Sequence, residues 1–343
     1  MESRSNQKKL SLIEKANSTC AIVISYKQTK SIKVCILSLF SMKVRPGNIV
    51  VIDNSEENYY SNTATKLLRE EGISIDSYSF SKNRILEDIY LNNDELNKEQ
   101  SLSYIHCPEN NGYAAACNLG FAIAKQKKQR YCWILNADTQ LRVDSFYELL
   151  NNVDIERYIA GSLILKSDYK IKNRVESCGA CGNLLRFKND TSIPKEKCVN
   201  RFALHGCAML ISLKVYEKLD GMHEGFFMYG EETDFCIRAK KIGVKSLIVT
   251  SSKITHISGE SVKKTGINFW PLVYSNHIYL VRRNTNGIVG ILFILILIIR
   301  HSLAVLIRGG IPRFIEFLKY ISLSASQRKK NNVIKNILFS QIR

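Results

Sequence analysis

The chain has 343 residues, 45% of them hydrophobic, enough for one large or two smaller domains with a true core, which excludes a disordered protein. Lysine and arginine outnumber aspartate and glutamate 49 to 31, a formal charge of +18 that calls for a polyanionic or membrane partner or for a solubilising surface. The 10 cysteines are scattered through a chain too large to need staples, and the N-terminal stretch has no long apolar run, so reduced thiols in a cytoplasm are expected rather than secretion.

Residues 1–18 read as an N-terminal extension. CAIVIS (20–25) is a continuous apolar run rich in β-branched residues, the pattern of a buried parallel strand. An amphipathic helix over 31–41 and a second strand, NIVVIDNS (48–55), complete a β-α-β unit. A helical stretch near 61–71 is followed by LNNDELNKEQS, whose composition suggests a surface insertion. A strand over 102–106 leads into PENNGYAAACNLGFAIAKQ, helical in its alanine-rich part, and RYCWILNADTQL is a further strand ending in polar residues. Successive strands thus deliver polar groups to their carboxyl ends, the edge where open α/β sheets bind ligands.

Residues 150–200 alternate short apolar runs with glycine and asparagine and are the least informative. Cys178 and Cys181 form one CxxC, but a structural zinc site needs two more ligands, and only Cys198 and His205 are loosely available; small buried hydrophobes are the plainer reading. RFALHGCAMLISLKVYEKLDGM reads as a strand then a helix, followed by the aromatic and acidic stretch GFFMYGEETDFCIRAKKIGVK. No internal repeat is found.

Ile288–Ile299 is a run of 12 apolar residues, short of the roughly 20 that a helix needs to cross a bilayer, and Arg300 and His301 interrupt it. Beyond it, Arg300, Arg308, Arg313, Lys319, Arg328, Lys329, Lys330, Lys335 and Arg343 face a single acid, Glu316. Anionic lipid headgroups explain such a tail more economically than nucleic acid, so residues 286–343 are expected to lie on a membrane surface, with a single transmembrane helix as the alternative.

Asp53 ends the strand IVVI, where a carboxylate can accept from a base or ribose, although a turn or helix cap would use it equally well. Asp138, after Asn136-Ala137, projects at the same edge, where magnesium or manganese could bridge it to a diphosphate. Glu231, Glu232 and Asp234 cluster beside aromatic residues, which is unfavourable unless cations or hydrogen bonds compensate. One could serve as a general base while others cap the following helix. His256, after the apolar LIVTS, is a candidate metal ligand.

These motifs, AIVISY, IVVIDNS, ENNGYAAACNLG, WILNADTQL, HGCAMLI, FFMYGEETDFCIRAKKIG and THISG, in this order over about residues 20–285, resemble family 2 of the glycosyltransferases. Within it they are similar to the bacterial rhamnosyltransferases and galactofuranosyltransferases of surface-polysaccharide assembly. The resemblance implies an α/β protein of GT-A fold over 19–285, a Rossmann-like mixed sheet flanked by helices, with a C-terminal membrane-associating helical extension. It implies that Ser25, Tyr26 and Asp53 contact base and ribose and that Asn110, Gly112 and Asn118 lie near the nucleotide. Asn136, Ala137 and Asp138 take the place of the metal-binding D-x-D, with asparagine at its first position, and His256 that of the metal-binding histidine.

The same resemblance places Glu232 as catalytic base, Glu231 beside it, and Asp234 and Arg238 in supporting roles around the donor. The implied reaction is an inverting transfer from a nucleotide-diphospho-sugar to a hydroxyl of a glycan or lipid-linked glycan acceptor. It would depend on Mg2+ or Mn2+ and run at the cytoplasmic face of the plasma membrane. A nicotinamide-dependent oxidoreductase is disfavoured because SYKQTKS stands where its glycine-rich turn belongs, and a sugar-nucleotide pyrophosphorylase because its basic glycine-rich loop is absent. A catalytically silent glycan-binding or scaffold subunit of the same fold is the alternative from another class.

Overall fold

A computed structural model describes residues 10–79, 101–167, 174–257, 269–323 and 327–328. The expected surface insertion at 91–101 lies outside these residues except for Ser101. The buried apolar runs form the expected strands: β1 (Thr19–Ser25), β2 (Asn48–Asp53), β3 (Ser74–Ser79), β4 (Ser101–His106) and β5 (Tyr131–Asn136) pair in parallel. The helices between them are α1 (Leu12–Asn17), α2 (Lys30–Phe40), α3 (Asn58–Glu70) and α4 (Tyr113–Gln126).

Beyond β5 the pairing is antiparallel except between β7 and β13, which are parallel. The remaining strands are β6 (Thr139–Leu141), β7 (Tyr158–Lys166), β8 (Val175–Ser177), β9 (Ala180–Asn183), β10 (Arg186–Asn189), β11 (Cys198–Arg201), β12 (Ala208–Ser212) and β13 (Lys245–His256). The 11-stranded mixed sheet runs β11-β13-β7-β12-β5-β1-β2-β4-β3, with β6 on β13 and β8 on β7, while β9 and β10 form a separate hairpin. The described residues of the uninformative stretch 150–200 hold β7 to β10 and the start of β11.

β1 is buried along its whole length and covered on both faces, which is why it reads as an unbroken apolar run. Cys20, Ile22 and Ile24 pack with α4 on one side, and Ala21 and Val23 pack with α2, α3 and α5 (Ser145–Asn152) on the other. Gly120 lets α4 approach β1 closely, since a Cβ there would lie 2.4 Å from the Ile22 side chain. The first face also receives α6 (Leu213–Lys218) and α7 (Glu231–Lys241).

Two helices follow the sheet: α8 (Trp270–Asn284) and α9 (Gly287–Ser322), the second broken at Gly310, whose φ of 67° and ψ of −167° are not helical. The helix thus runs through Arg300 and His301, and it is long and apolar enough to cross a membrane by length and composition. One face docks: Leu297, Val305 and Phe317 pack with Ile278 and Val281 of α8, His301 Nε2 is 3.1 Å from His277 Nδ1, and Arg300 donates to the Leu185 carbonyl at 3.3 Å. The other face leaves Ile288, Ile291, Leu295, Ile299, Leu303 and Ile307 exposed. The final arm, through Tyr320 and Leu323, packs against Leu272 and Phe227 of the α/β part.

Candidate active site

The carboxyl ends of β1, β2 and β5 meet the start of α7 and the end of β13. β6 pairs with β13 so that Thr139 lies opposite His256, and the Ile257 N–H donates to the Asp138 carbonyl at 2.9 Å. This register sets Asp138 Oδ1 3.3 Å from His256 Nε2, with Glu176 Oε1 of β8 3.3 Å from His256 Nδ1. Burial alone would lower the histidine's pKa, but the hydrogen bonds and charges of Asp138 and Glu176 outweigh it and raise it to about 9.

His205 and Cys207 complete this end. They and His256 each place a ligand atom within 4.8 Å of the others. Burial, then repulsion from His256, lowers His205 to about 4, so it stays neutral, and burial followed by the Asp138 and Glu176 charges keeps Cys207 a thiol. One carboxylate oxygen and one imidazole nitrogen facing each other, with a second carboxylate orienting the ring from behind, form a donor set that fits Mg2+ or Mn2+. Cys178, from the CxxC, instead accepts from Arg201 through its carbonyl and sulfur.

At the other end, Glu231 and Glu232 open α7, where unpaired N–H groups and the helix dipole favour negative charge. Burial and then the Glu232 charge push Glu231 well above the usual carboxylate range, and its Oε2 is buried with no hydrogen-bond partner among the described residues. Burial raises Glu232 as well, but the N–H groups of Glu232, Gly230 and Thr233 hold it back, the Gly230 N–H donating to Oε2 at 3.2 Å. Both carboxyls are thus raised, and the backbone N–H groups restrain the rise at Glu232.

The segment before α7 is strained: Phe227, Tyr229 and Gly230 have φ of 63°, 69° and 108°. Asn276 of α8 restrains it, its amide nitrogen reaching the carbonyls of Phe226, Met228 and Tyr229 at 3.1, 2.9 and 2.9 Å. The Tyr113 N–H donates to the Phe227 carbonyl at 2.7 Å, and Gly112, at φ 88°, makes room for it: a Cβ there would sit 2.5 Å from that oxygen. Burial, then the charges of Glu231, Glu232 and Asp138, raise the Tyr229 phenol to about 12, so this phenol feels both carboxylate groups.

The nucleotide-side residues divide. Ser25 lies opposite Asp53 in the sheet, and the side-chain oxygens of Ser25 and Asn136 are buried without a partner among the described residues. Such orphaned atoms at a strand edge suit a ligand. The Ala137 N–H continues the ladder to the Ile24 carbonyl at 2.9 Å, and the Tyr26 ring stands 5.6 Å from Lys27 Nζ. Asn110 donates to Glu56 at 3.1 Å and accepts from the Gly112 N–H at 3.3 Å.

Three expected ligand contacts are occupied by protein. Asp53 is fully buried and accepts from the Ser55 N–H and hydroxyl at 3.0 and 2.6 Å and from the Tyr104 hydroxyl at 2.6 Å. Asn118 is turned to Tyr216, Met222 and Glu224. Arg238 binds Asp234 at 2.7 Å and the Leu219 and Gly221 carbonyls at 2.5 and 2.9 Å, and Asp234 also pairs with Arg283 and Asn284. In this arrangement Asn118, Asp234 and Arg238 brace α4 and α7 from behind. Glu176, Cys207, Tyr229 and Asn276 belong to the site but carry no expectation from sequence.

The fold is that of the GT-A transferases. Residues 84–220 match the profile of Glycosyl transferase family 2. It is similar to the rhamnosyltransferase WbbL of Escherichia coli, 26% identical over 159 residues, 42% of this chain and 60% of that protein. It is also similar to the low-salt glycan biosynthesis hexosyltransferase Agl10 of Haloferax volcanii, 26% identical over 225 residues, 64% of this chain and 61% of that one. The chain thus spans about three-fifths of either relative.

Two solved structures share the fold. One is GalNAc-T7 with UDP, GalNAc and Mn2+, at TM-score 0.57 and 16% identity, covering 77% of this chain and 47% of that one. The other is the mannosyltransferase PcManGT of Pyrobaculum calidifontis with GDP-Man and Mn2+, at TM-score 0.51 and 10% identity, covering 95% and 86%.

Proposed function

We propose that this protein transfers a sugar, with inversion, from a nucleotide-diphospho-sugar to a hydroxyl of a glycan acceptor, the acceptor being lipid-linked and the setting surface-polysaccharide assembly. The observation that carries the reading is the Asp138–His256 pair at 3.3 Å, with Tyr229 feeling the charges of both Asp138 and the Glu231–Glu232 start of α7. Glu232 takes the acceptor proton as the acceptor oxygen forms its bond to the anomeric carbon and the bond to the diphosphate oxygen breaks. Burial raises the Glu232 carboxyl and leaves it a stronger base than an exposed carboxylate.

Asp138 and His256 would hold the Mg2+ or Mn2+, with Glu176 orienting the ring; the ion would supply charge stabilisation on the departing diphosphate. Ser25, Tyr26 and Asn136 line the nucleotide edge, and Asp53, Asn110 and Gly112 shape its walls. Asn118, Asp234 and Arg238 act through the loops they brace.

The membrane reading rests on the apolar outer face of α9. A helix docked to the α/β domain along one side and exposing isoleucine and leucine on the other is suited to lie in the interface plane, at the cytoplasmic face, as a monotopic anchor. The test of function is a panel of nucleotide sugars scored for thermal stabilisation with and without manganese, then for transfer. One donor stabilising only with metal supports the reading; none doing so under any condition overturns it.

A further inference from the structure

Arg328 is only 1% exposed, yet among the described residues no carboxylate pairs with it. Its guanidinium donates to Asn276 Oδ1 at 2.8 Å and to the Tyr320 carbonyl at 2.9 Å and lies 4.5 Å from the centre of the Tyr279 ring, all neutral groups. Two bonds leave donors over on a group that carries five. Burial and, among nearby charges, Arg282 lower its pKa to about 10. A buried guanidinium with donors left over is unfavourable unless something completes it.

A cavity of about 120 Å³ lies between α8 and the two arms of α9. Its lining includes Ser275, Arg282 and Arg328 together with Ile294, Ile298 and Ile321. We propose that this cavity binds the phosphate or diphosphate head of a single-chain lipid, with Arg282 and Arg328 on the head and the isoleucines on the first carbons of the chain. A phosphate monoester brings a charge of about −2, matching two cations, where a bilayer phosphodiester brings one charge and two chains.

The location ties the site to the chemistry. Asn276, which accepts from Arg328, is the residue that restrains the carbonyls of Phe226, Met228 and Tyr229 just ahead of Glu231 and Glu232. The site deepens the acceptor half of the proposed function and rests on that reading for its role as the seat of the acceptor's lipid.

The full chain in neutral detergent should be titrated with farnesyl diphosphate and its thermal midpoint followed, with farnesol, inorganic pyrophosphate and dioleoylphosphatidylglycerol as comparisons. Farnesyl diphosphate should stabilise saturably and bind about tenfold tighter than each of the others. Arg282→Gln, at an exposed position that leaves folding intact, should weaken it about tenfold, and Arg328→Lys should weaken it as well. Equal binding of farnesol or phosphatidylglycerol would mean a general lipid contact, equal binding of pyrophosphate a free-anion site, and undiminished binding by Arg282→Gln the wrong pocket; each overturns the proposal. Neither donor nor metal is present, so failure here leaves the transferase reading standing, and an inactive transferase leaves this site standing.

Discussion

His256 Nε2 lies 3.3 Å from Asp138 Oδ1 because β6 and β13 pair in a register that puts Thr139 opposite His256. The histidine carries a proton at neutral pH in the metal-free protein, its pKa held at about 9 by Asp138 and Glu176 against the effect of burial. A metal needs the neutral ring, so binding must displace that proton. Manganese affinity, measured by calorimetry, should rise with pH, by about tenfold per unit below pH 9. Flat affinity across that range would remove His256 from the ligand set.

Asp234 is a structural carboxylate in this arrangement. Burial alone would raise its pKa, but the charges of Arg238 and Arg283 and the bonds from Asn284 and Arg238 bring it below 3.8. A depressed pKa contributes stability that is present above the unfolded value and lost as pH falls through the folded one. Asp234→Asn should cost about 3 kcal/mol at neutral pH, and denaturant melts at each pH should show the difference from wild type vanish as pH falls through the depressed pKa of Asp234.

Asn276 holds three carbonyls of the strained loop ahead of α7. Asn276→Ala leaves those acceptors short of a donor, at about 1–3 kcal/mol, and frees the loop that positions Glu232. Steady-state kinetics should show kcat falling by about tenfold or more with the donor KM little changed. A change confined to the donor KM would contradict a positioning role.

The outer face of α9 exposes Ile291, Leu295 and Ile299 at 58%, 51% and 64%. Changing all three to serine removes about 1 kcal/mol of apolar burial each, so vesicle binding should weaken about a hundredfold while the melting temperature in detergent holds. This is a cleaner test than truncation before Gly287, which would also strip Tyr320 and Leu323 from Leu272 and Phe227.

The parallel half of the sheet is legible in sequence because β1, β2 and β5 are short, continuously apolar and end in polar residues. Asp138, Glu232 and His256 are legible for a related reason, each closing or opening such an element. Glu176 is not, since its three-residue strand acquires meaning only through long-range pairing with β7. Asn276 reads as one polar residue in a helix until the fold brings the Phe226–Tyr229 carbonyls beneath it. Asp53 shows the converse: its place at a strand end is legible, but the Ser55 and Tyr104 hydroxyls that occupy its carboxylate are not.

The most direct measurement is single-turnover sugar transfer by the wild type and by Glu232→Gln, with saturating donor and manganese and the anomeric configuration of the product read by NMR. The wild type should give the inverted product, and Glu232→Gln should be slower by about a hundred- to ten-thousandfold while still binding the donor. Transfer by Glu232→Gln within a few fold of the wild type, or a product of retained configuration, would contradict Glu232 as the base of an inverting transferase.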